Sequence, residues 1–181
     1  MPANRLVVLD RDGVINEDSP DSIRTLAQWR PLPGSVEAIA RLSQAGWTVA
    51  VATNQSGIGR GYLSMATLDS IHSALLSAVQ AIGGSIAIVA FCPHTPTDGC
   101  TCRKPATGLL TRIEEATGLS ARGAPFVGDS PGDMGAALAH GCLPVLVRTG
   151  NGLGWEAEAR RLGVTRVFDD LASAADWLLT A

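Results

Sequence analysis

Short apolar runs alternate along this chain with longer segments whose apolar residues recur at helical spacing. Arg5 to Leu9 reads as a buried strand, since Leu6-Val7-Val8-Leu9 is a continuous aliphatic run with polar residues on either side. Ser35 to Ala45 carries Val36, Ile39 and Leu42 on one helical face and stops at Gly46. Trp47 to Ala52 predicts a second strand. Ser64 is placed to cap a helix with Leu68, Ile71, Leu75, Val79 and Ile82 on one side. Ile86 to Phe91 predicts a third strand, and Gly108 to Thr117 a helix ended by Gly118. Ala124 to Val127 and Leu143 to Val147 read as strands around a helix from Pro131 to His140. The tail adds a helix at Trp155 to Leu162, a strand at Arg166 to Phe168 and a helix at Leu171 to Leu179.

Repeated alternation of strand and helix predicts an α/β fold: a three-layer, doubly wound, mostly parallel sheet of Rossmann-like type. No linker, fixed-period repeat or low-complexity segment interrupts it, so residues 1–181 are expected to form one domain. The polar stretch 16–33 is the longest irregular segment and is expected to lie over the functional site.

Bulk properties narrow the classes of function. The 181 residues are 46% hydrophobic and 17% charged, which suits a globular core rather than disorder. A net charge of −3 without a basic run argues against binding a nucleic-acid backbone. No apolar stretch is long enough to span a bilayer, and the apolar run after Met1-Pro2-Ala3-Asn4-Arg5 is too short for a secretory leader. A soluble cytoplasmic monomer acting on a small molecule is the expectation.

Candidate chemistry sits where the predicted strands end, the place at which open α/β sheets bind ligands. Asp10-Arg11-Asp12-Gly13-Val14-Ile15-Asn16 follows the first strand. Paired carboxylates suit Mg²⁺, a hard ion preferring oxygen, and allow one nucleophile and one general acid/base. Asp and Gly are also ordinary turn residues. Thr53-Asn54-Gln55-Ser56-Gly57 follows the second strand and could cradle a phosphate, with Arg60 adding charge, or simply turn the chain. Arg103-Lys104-Pro105 offers two cations that elsewhere would be a solvated surface. Gly128-Asp129-Ser130-Pro131-Gly132-Asp133 offers Asp129 to complete a metal site and Asp133 to support it, though Asp129 or Ser130 could merely cap a helix. Each motif is weak alone. Their joint placement at strand ends points to phosphoryl chemistry.

Cys92, His94, Cys100 and Cys102 supply three sulfurs and one imidazole inside the loop 92–105. That set matches tetrahedral structural Zn²⁺, with no position left open for catalysis. Such a site would fix the loop and aim Arg103 and Lys104. Cys142 reads as a small buried hydrophobe. His72 and His140 read as packing or surface residues, and Trp29, Trp47, Trp155 and Trp177 as core or surface anchors.

In order along the chain, Asp10-Arg11-Asp12-Gly13, Thr53, Lys104 and Gly128-Asp129 through Asp133 resemble the four motifs of the haloacid-dehalogenase-like phosphatases. The resemblance spans residues 5 to 150. It implies that Asp10 attacks phosphorus and binds Mg²⁺, and that Asp12 protonates the leaving oxygen and then activates water. The Asp12 backbone carbonyl would also meet the metal. Thr53 and Lys104 would hold the phosphoryl oxygens, and Asp129 would complete the metal shell. No separate cap domain is expected.

Asp10 to Asn16, Thr53 to Gly61, and Cys92-Pro93-His94 through Cys102-Arg103-Lys104-Pro105 are similar to the heptose-bisphosphate phosphatase branch. That similarity implies removal of the 7-phosphate of D-glycero-D-manno-heptose 1,7-bisphosphate. It also implies substrate contacts from Asp10, Arg11, Asp12, Asp18, Ser19, Pro20, Asp21, Thr53, Asn54, Gln55, Ser56, Arg60, Arg103 and Lys104. Position 130 is serine where some members carry lysine. The histidinol-phosphate phosphatase branch shares the metal loop and is the nearest alternative. The run from Asn54 to Gly61 and Gly108-Leu109 favour the heptose branch. A non-catalytic, zinc-stabilised binding module would leave Asp10, Asp12 and Asp129 unexplained.

Overall fold

The computed structural model describes residues 5–180; Met1 to Asn4, weighed above as the start of a leader, lie outside the described residues. Among the described residues, six strands form one sheet: β1 (Leu6–Leu9), β2 (Thr48–Asn54), β3 (Ile88–Cys92), β4 (Pro125–Gly128), β5 (Leu143–Val147) and β6 (Arg166–Phe168). Their order is β3-β2-β1-β4-β5-β6, and all five pairings are parallel. The chain winds outward in one direction from β1 to β3 and in the other from β4 to β6. Between β1 and β4 the winding reverses, which opens a crevice at the strand carboxyl ends.

Among the described residues, seven α-helices connect or flank these strands: α1 (Ser35–Gln44), α2 (Ser56–Gly59), α3 (Met65–Ala81), α4 (Gly108–Thr117), α5 (Pro131–His140), α6 (Gly152–Arg161) and α7 (Leu171–Thr180). Strand residues alternate between the two faces, as the period of two demands. Val7 and Leu9 of β1 join Ile39, Leu42, Leu75 and Leu171 in one core, under α1, α3 and α7. Leu6 and Val8 join Leu109, Ile113, Phe126 and Ala136 in the other, under α4 and α5. Helix ends follow their local chemistry. The Ser64 hydroxyl accepts from the Thr67 N–H at the start of α3, and Gly118 and Gly141 end α4 and α5 in the left-handed conformation.

Differences from the predicted boundaries concentrate near the crevice. β2 runs on through Thr53 and Asn54 because both still pair with β3, at Phe91 and Cys92. A four-residue helix, α2, occupies part of the glycine-rich run read as a loop. α6 starts at Gly152 rather than at Trp155. The segment 16–33 is irregular apart from a 3-10 turn at Leu26–Gln28, and Asp18 in it reaches the rim of the crevice.

Leu75 is fully buried between α3 and the sheet. Leu75→Ala should lower the unfolding free energy by about 2–5 kcal/mol. Urea denaturation followed by circular dichroism would measure it, and a change within error would mean that this core is not packed as described.

Candidate active site

Asp10 is the first residue beyond β1, and its N–H donates to the Val127 carbonyl of β4 at 2.9 Å. The carboxylate therefore stands at the point where the winding reverses. Its Oδ1 accepts from the Arg11 N–H at 2.7 Å and meets Lys104 Nζ at 2.8 Å. Asp10, Asp129 and Asp133 are all buried, and one carboxylate oxygen from each lies within 4.8 Å of the others.

Lys104 balances part of this charge. Its ammonium also donates to Asp133 Oδ1 at 2.6 Å and to the Ala52 carbonyl at 2.7 Å. Burial would favour the neutral amine, but Asp10 and Asp133 outweigh it and hold the lysine charged. Burial, together with the nearby Asp133 charge, pushes Asp10 well above the usual carboxylate range. The same causes raise Asp129 to about 7. Three clustered, buried carboxylates beside one ammonium leave more acidic than basic groups in the site. The all-oxygen donor set of Asp10 and Asp129 fits Mg²⁺. Asp133 is less free, since its Oδ2 accepts from the Asp129 and Ser130 N–H groups at 3.1 Å and from the Ser130 hydroxyl at 2.7 Å. It braces the loop and the lysine.

Glycines let the backbone close around Asp129. Gly13 and Gly150 both have positive φ, and a Cβ on either would run into Asp129 Oδ2. The Asn151 N–H donates to that oxygen at 2.9 Å, and its amide reaches Asp18 Oδ2 at 3.1 Å. Thr149 donates to the Gly13 carbonyl at 2.7 Å. The 149–151 turn was not predicted as part of the site. It follows β5, so the strand-end rule that found the other motifs pointed to it as well.

Asp12 is held differently. Arg11 donates to its Oδ1 from Nε at 3.0 Å and from Nη2 at 2.9 Å. Asn16 donates to Oδ1 at 2.9 Å and Gln55 to Oδ2 at 2.8 Å. Burial works to raise the Asp12 pKa, but the Arg11 charge and these bonds prevail and keep it below the ordinary value. Gln55 Nε2 also donates to Thr53 Oγ1 at 2.8 Å, which leaves the threonine O–H to donate elsewhere.

Several residues around the cleft make supporting contacts within the protein. The Arg11 side chain is fully buried, with its fork on Asp12 and His72. Gln55 is buried between Asp12 and Thr53. Asn54 clamps the Lys104 backbone, donating to its carbonyl at 3.1 Å and accepting from its N–H at 3.0 Å, while still lining the cleft. Ser130 caps α5 and also lines the cleft. Ser56 is half-buried, and Arg60 is exposed at the end of α2.

The cleft itself encloses about 160 Å³ between Asp10, Asp12, Asp18, Lys104, Asp129 and Asn151. Two larger hollows adjoin it. One, of about 350 Å³, lies along Thr95, Cys100, Arg103 and Lys104. The other, of about 310 Å³, is lined by Asp18, Pro20, Gly150 and Asn151. Ser19 and Asp21 flank that second hollow in sequence.

Cys92, His94, Cys100 and Cys102 converge beside the first hollow. Cys102 Sγ lies 3.1 Å from Cys92 Sγ, 3.7 Å from Cys100 Sγ and 3.3 Å from His94 Nδ1. Cys92 Sγ lies 3.6 Å from Cys100 Sγ and 3.5 Å from His94 Nδ1. A tetrahedron with Zn–S bonds near 2.3 Å has edges of about 3.8 Å, so the set is close to the size zinc needs. No disulfide joins these cysteines. The loop leads directly into Arg103 and Lys104, and the Arg103 N–H points at Cys100 Sγ at 3.4 Å.

A family model described as HAD-hydrolase-like matches residues 101–174. The D-glycero-beta-D-manno-heptose-1,7-bisphosphate 7-phosphatase of Pseudomonas aeruginosa is 55% identical over 174 residues, covering 96% of this chain and 97% of its own. The Bordetella bronchiseptica protein of the same name is 47% identical over 175 residues, covering 97% and 98%. Among solved structures, the D,D-heptose 1,7-bisphosphate phosphatase from B. bronchiseptica, complexed with magnesium and phosphate, superimposes with a TM-score of 0.93. It is 46% identical and covers 97% of this chain and 98% of its own. With this identity along nearly the whole length, the chain belongs to the heptose-1,7-bisphosphate 7-phosphatase family of haloacid-dehalogenase-like hydrolases.

Proposed function

We propose that this chain hydrolyses the 7-phosphate of D-glycero-D-manno-heptose 1,7-bisphosphate through a phosphoryl-aspartate on Asp10. The observation that carries the reading is the meeting of Asp10, Asp129 and Lys104, with Asp12 beside them, in one cleft at the reversal of the sheet. The names of the relatives support the heptose substrate over histidinol phosphate. The buried carboxylate cluster argues against a non-catalytic module, which would have no use for its electrostatic cost.

Asp10, Asp129 and the Asp12 carbonyl would hold Mg²⁺, which would neutralise phosphoryl charge when bound. Among the described residues, the hydrogen bond from Arg11 and the ion pair with Lys104 both fall on Asp10 Oδ1, so Oδ2 remains for attack. In the first step an Asp10 oxygen forms a bond to phosphorus, the bond to the sugar oxygen breaks, and Asp12 gives that oxygen a proton. In the second, Asp12 takes a proton from water as its oxygen attacks phosphorus, and Asp10 and phosphate separate. Arg11, Asn16 and Gln55 hold Asp12 in the carboxylate form suited to the second step. An incoming phosphate dianion pushes Asp12 toward the protonated form that the first step needs. Lys104 and the Thr53 hydroxyl would hold phosphoryl oxygens.

The hollow along Arg103 gives the second phosphate of a bisphosphate a cationic place to lie, while Asp18 and Asn151 offer polar groups to sugar hydroxyls. The zinc tetrahedron would hold Arg103 and Lys104 against the cleft.

Asp10→Asn should reduce turnover by about three orders of magnitude or more and leave the fold and zinc content intact. Phosphate-release assays on metal-analysed protein test this, and retained turnover would remove Asp10 as nucleophile. In a substrate panel with Mg²⁺, kcat/KM for the heptose bisphosphate should exceed that for histidinol phosphate by at least about tenfold, or 1.4 kcal/mol. The reverse preference would overturn the substrate assignment. Stripping zinc while keeping Mg²⁺ in excess should lower the melting temperature and turnover together. Full activity in zinc-free protein would show that the loop does not position Arg103 and Lys104.

A further inference from the structure

Arg11 is among the largest fully buried side chains in the molecule. A buried guanidinium needs acceptors along its N–H edges, because water cannot reach it. Nε and Nη2 are directed at Asp12, at 3.0 and 2.9 Å. Nη1 is directed at His72 Nε2, at 3.1 Å. His72 lies on α3, between the core residues Ile71 and Leu75, and is only 8% exposed. Its ring rests against Phe91 of β3, with centroids 5.7 Å apart and planes inclined by 55°.

The chemistry of this contact determines the tautomer. Arginine can only donate, so His72 Nε2 must present a lone pair and the ring proton must sit on Nδ1. Burial, reinforced by the Arg11 charge, lowers the His72 pKa to about 4 and keeps the ring neutral. A histidine present only to fill space on α3 would have no need to aim Nε2 at a guanidinium.

We infer that His72 is a positioning residue: it accepts from Arg11 Nη1 and fixes the rotation of the guanidinium, which then holds the Asp12 carboxylate at the cleft. This rests on the reading of Asp12 as general acid and base. A chain of contacts thus runs from α3 through a residue outside the cleft to the group that moves the proton. Gln55 and Asn16 hold Asp12 from other sides, so loss of His72 should misalign Asp12 rather than release it.

The test compares His72→Leu, which removes the acceptor, with His72→Gln, which keeps one, and runs Asp12→Asn in parallel. With heptose bisphosphate, His72→Leu should lower kcat about 10- to 100-fold, a general acid/base share, with KM within about twofold. His72→Gln should recover most of the loss. With p-nitrophenyl phosphate, whose leaving group needs no proton, the kcat loss in the phosphorylation step should largely disappear. Wild-type kcat in His72→Leu, or equal losses in the two variants, would overturn the proposal while leaving the Asp12 assignment standing. Wild-type turnover in Asp12→Asn would instead overturn the acid/base reading, and the His72 role with it. Should His72→Leu fail to fold, ring-nitrogen NMR of the wild-type protein decides: an unprotonated Nε2 at neutral pH is expected, and a protonated Nε2 would refute the contact.

Discussion

Lys104 Nζ stands between the carboxylates of Asp10 and Asp133, within 2.8 and 2.6 Å, and the site is arranged around that contact. Taking these charges out of water carries a large desolvation cost, which only close pairing and further hydrogen bonds offset. The protein supplies them from separate segments: the Ala52 carbonyl from β2, the Ser130 hydroxyl from the α5 cap, and backbone N–H groups at 11, 129 and 130. With Asp129 added, negative charge still exceeds positive in the cluster. That imbalance makes the cleft receptive to a divalent cation, and a cation in turn makes it receptive to phosphate.

The surroundings of the cluster follow from keeping it fixed. Lys104 has no regular element on its N-terminal side; it leaves the cysteine-histidine loop and enters the turn before α4. Two devices hold it there. Cys92, His94, Cys100 and Cys102 converge and draw the ends of the loop together, and the three cysteines pack against the core under α4 and α5. The Asn54 amide clamps the lysine backbone to the end of β2. On the opposite side, Gly13 and Gly150 allow two loops to approach Asp129 where any side chain would collide with its carboxylate. Behind Asp12, Arg11 and His72 tie the acid loop to α3. The α/β scaffold brings the strand ends together, and these polar clamps set the positions within the resulting crevice.

Most elements could be read from the chain because each rests on local physics. The limits of α4, α5 and β5 follow from apolar periodicity, glycine stops and a serine cap, and the structure places them where that pattern predicts. The apolar pattern of β2 ends before Thr53 and Asn54, because a polar pair at a strand end acquires its conformation from the neighbouring strand. The motifs of Asp10, Asp12, Asp129, Lys104 and the cysteine-histidine loop were visible because their residue types are unusual in such a combination. His72 was not, because a histidine among helical core positions has the same pattern whether it packs or positions.

The amino-acid sequence by itself determined the alternation of strand and helix, the carboxylates available to a cation, the four zinc-type ligands and the family. These depend on residue type and spacing along one segment at a time. Only the tertiary structure decided that the Arg11 and Gln55 side chains brace Asp12, that Asn151 reaches both Asp18 and Asp129, and that His72 completes the support of Arg11. Each of these joins segments far apart in the chain. Whether a polar side chain meets substrate or another side chain depends on what the fold packs against it.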